Sequence, residues 1–438
     1  MMENPKGIKE GQSPAKQEFI EKSKEFWNPN KTQFWQDQGV DLVIDRREGY
    51  LLYDMDGRRL IDVHLNGGTY NIGHRHPELI EVLHRGTTRF DMGNHHFPAL
   101  GRTALAEELA KVCGGGMQYT MYTAGGAEAI DLAIKCARNA TQKRKIVSII
   151  NAYHGHSGLA VATGADRFSK TFLSDRPDEF VHVPFNDLNA MEDALKAKDI
   201  AAVIMETIPA TYGFPMPVPG YLTAVKKLCE RYDALYIADE VQTGLMRTGA
   251  MWGYQRYDIQ PDIMVTGKGI SGGMYPIACV VATERAAVWL KQDGFAHMST
   301  MGGAELGCLV ALKVLEILQR PQILPIVNYI SETMRSGLTE IMKLYSDFFV
   351  GIRQCGVVMG LEFDYPKGAQ PVMKHLYEHG VWAIFSTLDP RVLQFKPGVL
   401  MPTALCEELL ERVERAIGLA RAECMGSKSK RWTRSAAE

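Results

Sequence analysis

At 438 residues the chain exceeds what one hydrophobic core usually organises, so a large domain with a smaller companion is expected. Its 46% hydrophobic and 23% charged residues are those of a globular protein, and a formal net charge of -2 gives no electrostatic reason to expect nucleic acid or an anionic membrane. The eight cysteines lack any C-x-x-C pair and read as reduced, packed thiols; with no apolar leader and no run of 18 apolar residues, the expectation is a soluble, cytoplasmic protein.

In chain order, the first dozen residues are polar and expected to be weakly ordered. Residues 41–63 hold short strands around a turn at Asp56-Gly57. A glycine turn, Gly125-Gly126, runs into a helix over 127–138 whose Ile130, Ala133, Ile134 and Ala137 form one stripe. Apolar runs follow at 146–150, 180–185, 201–207, 235–238, 263–266 and 277–282, with a helix over 221–232 among them. Their near-continuous apolar character fits strands buried on both faces, which is an α/β parallel sheet covered by helices.

From about residue 321 the pattern changes to a helix at 326–344, strand-like runs at 348–352 and 357–363, and a terminal helix at 404–420. The division expected is an N-terminal segment (1–65) packing with a smaller α+β domain (321–425), a large domain (66–320), and a flexible tail (426–438) rich in small and basic residues.

Asp239 ends one apolar run, and Lys268, flanked by Gly267 and Gly269, follows the next. The carboxyl ends of parallel strands are where α/β proteins bind ligands. Singly, Asp239 reads as a helix cap and Lys268 as a solvated charge. On consecutive strand ends they read as a carboxylate for a cationic ring nitrogen and a lysine that loses its proton in a dry cleft. Gly126 and Ala127 at a helix start offer backbone N–H groups to an anion. Tyr153, after the run at 146–150, is placed to stack on a planar ligand. His154 and His156 lack a supporting carboxylate or cysteine cluster, so no metal site is expected.

Together these motifs resemble the class III aminotransferases, a branch of the fold-type I pyridoxal phosphate enzymes, over residues 50–416. The most specific pieces are ADEVQTGLMRTG at 238–249 and PDIMVTGKGISGG at 261–273; GHRHPE from Gly73, YHGHSGLA from Tyr153 and STMGG from Ser299 add to them. The resemblance implies a mainly parallel seven-stranded sheet and pyridoxal 5′-phosphate as cofactor. It makes Lys268 the Schiff-base lysine, Asp239 the partner of the ring nitrogen, Gln242 a neighbour of the ring hydroxyl and Glu206 the glutamate behind the ring. Val241 and Tyr153 would lie below and above the ring, and Gly126 with Ala127 would form the phosphate cup. Thr300 would reach the phosphate of a neighbouring subunit, implying a homodimer or a tetramer. Tyr70, His95, His96, Phe97, Tyr212 and Phe214 fall where the family places entrance residues, and Gln394 on the substrate side.

The chain departs from the family at the cup, where Gly125-Gly126-Ala127 lacks the usual hydroxyls. It departs again at Gln394, where many members carry the arginine that clamps a substrate carboxylate; Lys396 and Arg391 are candidates to take its place. Thr211 stands where some members have a glutamate that turns that arginine aside. The implied activity is amino transfer between an amine or amino acid and an oxo acid. Loss of the clamp leaves a racemase or epimerase, an aminomutase or a phospho-lyase on the same scaffold as the alternative.

Overall fold

A computed structural model describes residues 12–93 and 96–435. Its central sheet has seven strands in the spatial order Met117–Thr123, Ala278–Thr283, Ile263–Thr266, Leu235–Asp239, Ile200–Glu206, Lys145–Ile149 and Phe180–Val183. The last five run parallel to one another, whereas Ala278–Thr283 is antiparallel to both its neighbours. The expected mainly parallel α/β sheet is therefore present. Met117–Thr123, which no continuous apolar run announces, closes one edge.

Strand alternation divides the burial between two layers. Leu235 and Ile237 face the helix Gly126–Thr141, which presents Ile130, Ala133, Ile134 and Ala137 to them. Tyr236 and Ala238 face the opposite layer, with Val225, Leu228 and Cys229 of the helix Tyr221–Arg231. Each buried Ile or Leu contributes roughly 1.5–3 kcal/mol. The packing holds the strand ends, and the loops that leave them, in fixed register.

Two smaller sheets flank this body. Ile44–Glu48, Leu51–Asp54 and Arg59–Asp62 form a meander that pairs with Val381–Trp382. Phe349–Cys355, Val358–Phe363, Val392–Phe395 and Ile384–Phe385 form the other. The terminal helix runs from Thr403 to Ser435, so the backbone stays helical past Gly426, where a loose tail is expected from composition. No Pro or further Gly interrupts Ser427 to Ser435, and Lys and Arg are good helix formers. Of the tails expected to be loose, residues 1–11 and 436–438 lie outside the described residues. Among the described residues no helix is long and apolar enough to cross a membrane. The eight cysteines are free, and all but Cys355 are buried.

Candidate active site

The parallel ladder gathers the chemistry. Glu206 is in register with Asp239, and Asp239 with Val265. Three adjacent strand ends thus open on one hollow of about 250 Å³, into which Lys268 projects from just beyond Val265. Gly126, Ala127, Tyr153, Val241 and Gln242 also line it. Eight residues from five separate segments, singled out by motif, meet in one place.

The carboxylates are held by different means. Asp239 is buried; its Oδ1 accepts the Val241 N–H at 3.0 Å, and His154 Nδ1 lies 2.7 Å from its Oδ2. His154 is itself buried, with Nε2 3.5 Å from Ser148 Oγ. With Nδ1 protonated, the imidazole donates to the carboxylate and fixes its plane. Glu206 accepts the N–H groups of Tyr153 at 3.1 Å and Ala210 at 3.0 Å. Burial, opposed by His154 and reinforced by Asp239, pushes Glu206 up to about 7.

Lys268 opens a short 3₁₀ turn, Lys268–Ser271, with φ of +43°, an uncommon conformation for a residue with a side chain. Burial lowers its pKa from the ordinary lysine value, while Asp239 and Glu206 work against that shift. A larger fraction of free amine follows near neutral pH.

Around these groups the walls are shaped for a flat ligand. Tyr153 is edge-packed by His156 at 5.2 Å and Phe168 at 5.9 Å. Val241 faces Gly126 and Gly267, each leaving room where a Cβ would sit 3.5 Å from its methyl carbon. Gly155 is required sterically: its φ is +114°, and a Cβ there would lie 2.5 Å from Ala127 Cβ. The helix Gly126–Thr141 starts without a side-chain cap from Gly125, leaving first-turn N–H groups for an anion. Gln242 Oε1 is buried and has no hydrogen-bond partner among the described residues.

Other candidates lie elsewhere. Thr300 and His96 are exposed and line a separate depression of about 670 Å³ with Phe97, Tyr122 and Phe295. Tyr70 packs against Gly273 and His74, its hydroxyl accepting from Arg47 Nη1 at 2.8 Å. Gln394 is buried on Val392–Phe395 and accepts from Lys396 Nζ at 2.6 Å. Phe214 is buried, Tyr212 half-buried and Phe97 exposed, and His95 lies outside the described residues. Arg391 is half-exposed and pairs with Asp389 and Glu362.

Sequence reasoning left out His154 as a partner of Asp239. Its one available signal was adjacency to Tyr153 at the end of a strand. Among the described residues no three His, Cys, Asp or Glu side chains gather as a metal site.

The mainly parallel seven-stranded sheet covered by helices is the fold of the fold-type I transferases. The family model for aminotransferase class-III matches residues 34–417. A protein of Archaeoglobus fulgidus described as an uncharacterized aminotransferase is 41% identical over 407 residues, covering 93% of this chain and 95% of that one. The chain belongs to the class III aminotransferases and is an aminotransferase. Among solved structures, the ornithine aminotransferase of Toxoplasma gondii superposes with a TM-score of 0.82 at 25% identity, covering 94% of this chain and 99% of that one. Acetylornithine aminotransferase from Elizabethkingia anophelis gives 0.79 at 25% identity, covering 92% and 98%. A transaminase from the marine bacterium Virgibacillus gives 0.86 at 24%, covering 93% and 99%, and speaks for the fold.

Proposed function

We propose that the hollow binds pyridoxal 5′-phosphate through Lys268 and that the protein moves amino groups between an amine or amino acid and an oxo acid there. The observation that carries this reading is the buried Asp239, backed by His154, on the strand next to the one that leads to Lys268. The donor set fits the cofactor. Asp239 suits a protonated ring nitrogen, the partnerless Gln242 Oε1 suits a ring hydroxyl, and the uncapped helix start suits a phosphate. Tyr153 and Val241 would hold the two faces of the ring.

When bound, the cofactor supplies an electron-accepting ring that takes up the electron pair left as the substrate carbon loses its proton. The chain's own residues do the rest. Asp239, oriented by His154, keeps the proton on the ring nitrogen. Lys268 Nζ would hold the cofactor and, once a substrate amine has displaced it, would as the free amine that burial favours move the proton at the substrate's amine-bearing carbon. Thr300 lies in the other depression, bordered by exposed Phe97, Phe295 and Met298, which supports a homodimer in which it serves a neighbour's site.

The deciding experiment is borohydride reduction of the protein after incubation with pyridoxal phosphate, followed by peptide mapping. The label is expected on Lys268, and Lys268→Ala should lose both label and turnover. A label carried by another lysine with activity intact would overturn the reading.

A further inference from the structure

Between Leu65 and Gly68 the backbone passes through four consecutive residues of positive φ: 50° at Leu65, 47° at Asn66, 70° at Gly67 and 96° at Gly68. Two of the four carry side chains, for which this conformation is uncommon, so the surroundings must hold the turn. They hold it at both ends. At its entry Asp62, buried at the end of the strand Arg59–Asp62, accepts the His64 N–H at 3.0 Å and the Leu65 N–H at 2.8 Å on Oδ1. Its Oδ2 lies 2.9 Å from Nε2 of His74, which is also buried. His74 is fixed in turn by a backbone bridge to Gly49 and by the Tyr70 ring, 3.9 Å away. At the exit, buried Asn71 donates Nδ2 to Leu245 O at 2.7 Å and accepts from Arg247 Nη1 at 3.0 Å.

The turn so held presses on Lys268. A Cβ on Gly67 would lie 2.8 Å from Lys268 Cε and 3.2 Å from its Cδ. The residue after the lysine is packed against the same turn, since a Cβ on Gly269 would lie 3.1 Å from Gly68 O. A lysine stem is long and loses much rotamer freedom when it is packed. With the bare backbone of Gly67 against Cδ and Cε, the conformers that would carry Nζ through that space are closed. Asp62 and His74 do not line the hollow themselves, so whatever they do for the chemistry passes through the turn.

We propose that Asp62 and His74 are positioning residues for Lys268: they lock the left-handed turn whose Gly67 backbone confines the lysine stem and keeps Nζ aimed into the hollow. The proposal rests on the reading of Lys268 as the amine that takes up the cofactor. His74 settles how Asp62 is used. With Nε2 protonated, the imidazole donates to Oδ2 and leaves Oδ1 to the two N–H groups at the start of the turn. Asp62 is itself tied to its sheet, its backbone N–H donating to Tyr50 O at 2.9 Å. A reacting group misplaced by ~1 Å can lose about a hundredfold in rate, so a rigid wall beside the amine has kinetic weight.

The test separates attachment from binding. Pyridoxal phosphate can link to Lys268: the free amine adds to the aldehyde carbon, a C=N bond forms, and the carbonyl oxygen leaves as water with both amine hydrogens. Pyridoxamine phosphate has the same ring and phosphate but no aldehyde, so it binds without linking. For the native protein, His74→Leu, His74→Gln and Gly67→Ala, stopped-flow absorbance gives the rate of linkage at saturating pyridoxal phosphate, and fluorescence titration gives the affinity for pyridoxamine phosphate. His74→Leu and Gly67→Ala should each slow linkage about tenfold or more, with the affinity for pyridoxamine phosphate within about twofold of native. His74→Gln, whose amide N–H can stand where Nε2–H does, should recover most of the rate. Gly67→Ala leaves the Asp62–His74 pair intact and tests the wall even where loss of His74 prevents folding. Linkage at the native rate in the variants, or a parallel loss of linkage and of pyridoxamine phosphate affinity, overturns the positioning role and leaves the reading of Lys268 standing. A native protein in which pyridoxal phosphate forms no link to Lys268 takes down that reading and this proposal together.

Discussion

His154 Nδ1 lies 2.7 Å from Asp239 Oδ2, a buried contact between residues 85 positions apart. It gives Asp239 a second donor beside the Val241 N–H, and so fixes the carboxylate where a ring nitrogen would meet it. Replacing His154 with Ala should lower kcat about tenfold to a hundredfold with a smaller change in KM, because orientation and not substrate binding is lost. His154→Asn can return an N–H close to the Nδ1 position and should recover part of the rate. Steady-state kinetics with both variants decides it. Equal kcat in the native enzyme and His154→Ala would make the contact merely structural.

Gly155 supports the helix start from outside. A Cβ there would lie 2.5 Å from Ala127 Cβ and 2.9 Å from Ala127 Cα, at a φ of +114°. Gly155→Ala should therefore displace the first turn of Gly126–Thr141 and weaken pyridoxal phosphate binding by about tenfold or more, equivalent to about 1.4 kcal/mol. Fluorescence titration of the cofactor gives the number; unchanged affinity would show that the helix start is not the phosphate site.

The residues that line the hollow are legible where their signal is local. Lys268 between glycines and Asp239 at the end of an apolar run can each be read within a few residues, and the helix stripe at 127–138 belongs to the observed helix Gly126–Thr141. What was illegible depends on distance in the chain. The His154–Asp239 contact exists only once two strands stand in one sheet. The strand Met117–Thr123 interleaves Gln118, Tyr119 and Thr120 among its apolar residues because it is an edge strand, so it lacks the continuous run of its buried neighbours. Nothing in the sequence of Ala278–Thr283 tells that it runs antiparallel. Arg247 and Gly68, 179 positions apart, pack together only in the folded chain.

Glu206 makes stability depend on pH. Its folded pKa, pushed up to about 7, exceeds the 4.5 of an ordinary glutamate. The folded state therefore binds more protons than the unfolded state in that interval. Its favourable contribution is fully present below pH 4.5 and disappears as pH rises through 7. Denaturant unfolding of the cofactor-free protein across this window should show the native protein losing about 2–3 kcal/mol more than Glu206→Gln. Parallel profiles would mean that Glu206 titrates as an exposed glutamate does.

Thr300 tests the shared site. It is exposed and lies apart from the hollow of its own chain. Thr300→Ala should weaken cofactor affinity by about 1.5–3 kcal/mol, the range for one hydrogen bond to a charged group. Mixing that variant with Lys268→Ala should produce heterodimers in which one site carries both defects and the other neither. An active monomer at micromolar concentration excludes the arrangement.

Gln394 stands where many members of the family carry an arginine. The family-like change Gln394→Arg would restore a planar fork, but the position is buried and its amide oxygen accepts from Lys396. The substitution removes that acceptor and adds a cation beside Lys396, which has no carboxylate within ion-pair distance among the described residues. The protein without substrate should become less stable, by about 3–5 kcal/mol, the range for an uncompensated buried charge. A dicarboxylate should recover part of that loss by pairing with the added guanidinium. The expected signature is a lower melting temperature for Gln394→Arg, a larger rise on adding 2-oxoglutarate than the native protein shows, and a lower KM for 2-oxoglutarate than for pyruvate. An unchanged melting temperature with no added gain from 2-oxoglutarate would mean that the position tolerates the cation and does not face the substrate.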